Sequence, residues 1–111
     1  MEFDEFTIAL LVCGPTPNTD TFQDAHLAHL ASLHDAGSLL AAGPLSDPSG
    51  ELRGLSILNV PVDEARRLKE ADEAVRAGVF AVRVMPWRLP AGAMSFSRTF
   101  FPRSMRDVAA G

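Results

Sequence analysis

Apolar positions along this chain follow two periods, one of about 2 residues and one of about 3.6, and the switches between them outline the elements. Phe6-Thr-Ile-Ala-Leu-Leu-Val-Cys13 sets Phe6, Ile8, Leu10 and Val12 on one side of an extended segment. The other side is also mostly apolar, as in a central strand. Gly14-Pro-Thr-Pro-Asn18 is loop chemistry. Thr19, Asp20 and Thr21 then offer helix N-caps, and Thr21 with Asp24 resembles a capping box. A helix follows to Gly37, which stands where a C-cap glycine belongs. Ser38 to Ala42 predicts a short second strand ending at Gly43-Pro44, and Ser46 to Glu51 is a turn-rich connection. Leu55 to Val60 predicts a third strand paired with the second. Asp63 can cap a second helix running from Glu64 to about Val75, stopped by Gly78, and Val79 to Met85 predicts a fourth strand. The order β-α-β-β-α-β is the split βαβ of an α+β, ferredoxin-like domain with an antiparallel sheet.

After Pro86-Trp87 the pattern stops. Leu89 to Ala93 reads as irregular, and Met94 to Met105 carries Phe96, Phe100 and Phe101 without a period. Residues 89–111 therefore read as an extension of a 1–88 domain. Its aromatic residues dock on the chain's own body or on a dimer partner, since phenylalanines left in water form an adhesive patch.

Helical rotation of about 100° per residue exposes two anomalies. In the first helix Phe22, Leu27, Leu30 and Leu33 share an arc of roughly 140°, and His26 falls inside it, aimed at the core. In the second, Ala65, Leu68 and Val75 share an arc of roughly 80° with Asp72. A lone buried carboxylate needs a donor or counter-charge, and an imidazole supplies both. Asp72 would orient the ring and leave its other nitrogen free as a general base. The competing reading puts Asp72 on a fraying last turn, capping the amides of Val75 or Arg76.

Other candidates carry less. His29 lies at the edge of the arc, and His34, in the last turn, suits the helix macrodipole as a solvated cation. The histidines lack the i, i+4 zinc spacing, so no metal is expected. Arg66, Arg67, Lys69 and Arg76, interleaved with acids, read as a solvated face. Arg83 belongs on a solvent-facing edge or a subunit interface. Cys13, the only cysteine, reads as a buried strand-end residue. No phosphate loop, dinucleotide fingerprint or nucleophilic triad spacing is present, so no cofactor is expected.

At 111 residues the chain is one domain, and 47% hydrophobic residues exclude disorder. The net charge of −4 is uneven: residues 1–87 hold six Lys/Arg against thirteen acids, and 88–111 hold four arginines against Asp107. The acidic body argues against a nucleic-acid partner. No apolar run is long enough for a membrane span and the start lacks a secretory signal, so a cytoplasmic protein is expected.

His26-Leu-Ala-His-Leu30, Leu33-His-Asp-Ala-Gly37 and Leu39-Leu-Ala-Ala-Gly43-Pro44 resemble the first signature of the YCII-related (YciI-like) family. Glu70-Ala-Asp-Glu-Ala-Val75-Arg-Ala-Gly-Val-Phe80 and Val82-Arg-Val-Met-Pro-Trp87 are similar to its second. The resemblance implies a ferredoxin-like fold that dimerises sheet to sheet as an α/β barrel. It also implies a His–Asp site that falls here on His26 and Asp72. Characterised relatives act in the breakdown of small hydroxylated, often chlorinated, aromatics. Two features depart from the family: Glu73 follows Asp72 where a proline is usual, and the chain runs on past Trp87. The expectation is a cofactor-independent lyase or isomerase acting on a hydroxylated aromatic or lactone-like substrate, as a homodimer. The alternative is a non-catalytic dimeric ligand-binding or accessory protein.

Overall fold

A computed structural model describes residues 1–110. It has the order β1 (Phe3–Cys13), α1 (Asp20–Asp35), β2 (Leu39–Pro44), β3 (Leu52–Leu58), α2 (Val62–Glu70), α3 (Glu73–Arg76), β4 (Phe80–Pro90) and α4 (Met105–Ala110). The four strands form one antiparallel sheet in the order β2-β3-β1-β4. This is an α+β architecture consistent with the ferredoxin-like fold.

Alternation along β1 sorts the sheet into two faces. Thr7, Ala9 and Leu11 are buried beneath the helices, and Ala9 joins Leu30, Leu33, Leu39, Leu58 and Ala65 in the main core cluster. A second cluster of Leu11, Ala74, Val79 and Phe80 sits under α3. Phe6, Ile8 and Leu10 point the other way, level with Trp87, Met85 and Arg83 of β4. On that face Met85 and Trp87 are exposed, and Arg83 is exposed on an edge strand. No helix among the described residues is long and apolar enough to cross a membrane.

The first helix is capped by Thr19, whose side chain accepts from the Phe22 amide. Asp24 plays no part in a capping box; its carboxylate accepts from the Met105 amide instead. Gly37 and Gly78, at φ +84° and +82°, make the left-handed turns that end α1 and α3. β1 and β4 are longer than the hydrophobic pattern indicates, because they pair continuously from Phe3↔Pro90 to Cys13↔Phe80. Backbone pairing extends past the helix-covered part, where no burial marks it in the sequence. Leu89 and Pro90 thus end β4 rather than opening an irregular segment, and an edge strand tolerates the terminal proline.

The predicted second helix is two. It breaks after Glu70, and Asp72 adopts an extended backbone (φ −63°, ψ 128°) to become the N-cap of α3. Glu73 takes the first helical position of α3, one that a proline would also accommodate.

Candidate functional site

His26 and Asp72 meet. The imidazole is 7% exposed and the carboxylate fully buried, with Nδ1 donating to Oδ2 at 2.5 Å. The other oxygen, Oδ1, accepts from the Ala74 amide at 2.9 Å. The carboxylate thus has two partners: Oδ2 meets the histidine, and Oδ1 caps the first turn of α3 at Ala74, not the Val75 or Arg76 amide of a fraying last turn. Burial alone would raise the Asp72 carboxyl. The hydrogen bond and charge of His26, with the Ala74 amide, outweigh it and hold the group below the ordinary carboxylate value.

The ring is fixed from other sides. Phe80 packs at 5.4 Å between centroids, and His29 on the next turn donates from Nε2 to the Leu68 carbonyl at 2.7 Å, tying α1 to α2. With Nδ1 engaged, Nε2 of His26 makes no hydrogen bond to protein among the described residues. His26 lines a cleft of about 410 Å³ between α1, the sheet and the C-terminal segment. Leu11, Leu27, Leu30 and Phe80 give it apolar walls, and Phe101, Pro102, Met105 and Val108 of the segment contribute another.

That segment docks on the chain's own body, on β1 at Phe6 and on the end of α1. Phe101 stacks on His34 at 4.0 Å between centroids, and Phe96 meets Phe6 edge to face at 5.4 Å. Arg98 donates to the His34 carbonyl, and Arg103 pairs with Asp35 at 2.7 Å. His34 is accordingly not a solvated cation at a helix end. It is 3% exposed, with Nδ1 donating to the Leu39 carbonyl and Nε2 accepting from the Thr99 amide.

Two further expectations are corrected. Lys69 does not share the solvated face of α2 with Arg66 and Arg67: it is completely buried, and Nζ donates to Ser56 Oγ at 3.0 Å. The rotation that singles out Asp72 also sets Lys69 only about 40° from Ala65, so periodicity held this signal, overridden by the usual fate of lysine. Burial lowers the ammonium to about 8, with the Asp72 charge opposing the shift. Cys13 is exposed rather than buried, beside a shallow depression lined by Pro15, Thr16 and Pro17 at the end of β1 where no helix covers it. Ser56, which also lines the main cleft, has no sequence signal of its own, being one polar residue in an apolar strand.

A family model described as the YCII-related domain matches residues 8–88. No curated protein matches the chain.

Proposed function

The chain belongs to the YCII-related domain family, and from that premise we propose that its cleft is the active site of an enzyme working by acid–base chemistry on a small molecule. One observation carries the reading. His26 has one ring nitrogen held by a buried carboxylate, while the residue lines an apolar cleft with its other nitrogen unclaimed by protein. The neutral ring then carries its proton on Nδ1 and its lone pair on Nε2, as a general base requires.

In this reading Nε2 takes a proton from the substrate, and Asp72 stabilises the imidazolium without being protonated itself. The electron pair left on the substrate forms a new double bond. It either expels a leaving group, giving elimination, or moves the double bond while the imidazolium returns its proton at another carbon, giving isomerisation. A lactone suits both, because a hydrogen beside its carbonyl is acidic and a substituent on the next carbon can leave; a hydroxylated aromatic suits the isomerisation, losing its O–H proton and regaining one at a ring carbon. Residues 89–111 serve in this reading as a wall of the same cleft rather than a separate unit. A homodimer formed through the open sheet face, where Met85 and Trp87 are exposed, completes it.

The test is a spectrophotometric screen of the purified protein against hydroxylated aromatics and lactones, repeated on His26→Asn. Turnover lost in a variant with an unchanged circular dichroism spectrum supports the reading. A variant that keeps its turnover, or a wild-type chain inert across the panel, counts against it.

A further inference from the structure

Among the described residues Lys69 is the one buried lysine or arginine, and it lies outside the His26–Asp72 hydrogen bond. Taking an ammonium out of water costs several kcal/mol unless a partner compensates, and no carboxylate among the described residues forms an ion pair with Nζ. Its hydrogen bond goes to a neutral hydroxyl, Ser56 Oγ. That hydroxyl lies on the helix-covered side of β3, in register between Ala9 of β1 and Ala42 of β2, and it lines the cleft.

The polarity of the contact has a direction. Because Lys69 donates, the Ser56 oxygen is the acceptor and its own proton is free. No protein group among the described residues accepts that proton. A hydroxyl polarised from behind by a cation is a strengthened donor, and here it faces the cleft that His26 also lines. The charge around the cleft agrees. Although residues 1–87 carry more acids than bases, no aspartate or glutamate lines this cleft, and Arg53 on its wall carries a positive charge.

We propose that Ser56, backed by Lys69, is the anion-binding arm of the cleft, and that the ligand is a small apolar-bodied molecule carrying a negatively charged oxygen. The assignment rests on reading the cleft as a small-molecule site. It adds the substrate's charge: an aromatic or alicyclic body lies on the apolar walls, and its carboxylate or phenolate oxygen accepts from Ser56. A charged substrate also balances the positive charge that the site gains when His26 takes a proton while Lys69 remains an ammonium.

The test titrates the full-length protein with benzoate, 4-nitrophenolate and the neutral isostere benzamide, followed by amide chemical shifts. At least one anion is expected to bind about 10-fold or more tightly than benzamide, the range of a hydrogen bond to a charged group. The tighter anion identifies carboxylate or phenolate as the oxygen recognised. Ser56→Ala should erase that preference, and Lys69→Met should reduce it while Ser56 is still present. Equal binding of anions and benzamide, or a preference that survives Ser56→Ala, overturns the assignment. His26→Asn separates this from the acid–base reading. It should abolish turnover and keep the anion preference; turnover surviving in it while Ser56→Ala erases the preference removes the acid–base reading and leaves the anion arm standing.

Discussion

Two buried histidines on the same helix, two turns apart, have opposite chemistry. His26 gives Nδ1 to a carboxylate, its Nε2 has no protein partner among the described residues, and the residue lines the cleft. His34 gives Nδ1 to a carbonyl and fills Nε2 with the Thr99 amide, under the stacked ring of Phe101. Burial is equal to within a few per cent, 7% exposure against 3%, so burial does not decide the role. The partners do. In the proposed function the first ring exchanges a proton through the nitrogen that no protein group binds; the second, with both nitrogens bound to backbone, is a bracket between α1 and the C-terminal segment.

The largest effect expected from breaking this contrast is on turnover. His26→Asn should lower kcat/KM by about 10² to 10⁴, the usual contribution of a general acid–base. His34→Asn should leave it within a few-fold and cost roughly 1–2 kcal/mol of stability, as one buried hydrogen bond and the stack are disturbed. Denaturant titration beside steady-state assays reads both. Equal losses of activity in the two variants would erase the distinction.

Asp72→Asn attacks the feature that makes the two rings differ. Removing one partner of a buried pair should cost about 3 kcal/mol and lower turnover by about 10²-fold. The pH dependence has a definite sign. Because Asp72 is held below its ordinary value in the folded chain, its contribution is complete above the unfolded carboxylate value of about 4 and is lost as pH falls through the lower folded value. Wild type should therefore lose more stability on acidification than Asp72→Asn does, and parallel acid-denaturation curves would contradict the coupling.

The sequence carried the two halves of this site unequally. His26 can be found by rotation, because it lies within α1, where inward direction is a local property; for Asp72 the rotation runs through a helix that the structure breaks in two. The break between α2 and α3 could not be found that way: neither Ala71 nor Asp72 is a breaker such as glycine or proline, and the cap forms because Asp72 has both His26 and the Ala74 amide to bind. His34 looked solvated because what covers it, Phe101, is 67 positions away in a segment without a period. Lys69 was lost for another reason. Its position is inward, but its residue type predicts the surface, and a residue placed against type is what an uncommon electrostatic role looks like from sequence.

Lys69 sharpens the comparison as a fourth buried titratable group beside His26, His34 and Asp72, one whose burial works against its charged form. Its ammonium is pushed down from 10.5 to about 8 in the folded chain. The folded state thus binds the proton less well than the unfolded one. The penalty is present in full below about pH 8 and relieved as pH rises toward the unfolded value. Lys69→Met should stabilise the protein at pH 7 by up to about 3 kcal/mol, the equivalent of that shift, and the gain should shrink toward zero by about pH 10.5. Thermal melts at several pH values measure it. A variant less stable than wild type at pH 7 would mean that the Ser56 hydrogen bond outweighs desolvation.

The smallest effect is expected at Arg103, on the side of His34 facing solvent. Its contact with Asp35 is short, and it holds that carboxyl below the ordinary range, yet both side chains are more than half exposed and a pair of this kind adds little to stability. The C-terminal segment has ties that do not depend on it: the Phe101 stack, the Thr99 amide on His34 Nε2 and the Met105 amide on Asp24. Arg103→Ala should therefore leave global unfolding and turnover unchanged. It should produce only faster amide exchange at Arg103 itself, whose N–H donates to the Asp107 carboxylate, and at its immediate neighbours. Exchange that quickens together at Thr99 and Met105 would show the opposite: that the wall of the cleft hangs on one surface ion pair, and that the buried contacts of His34 follow it rather than hold it.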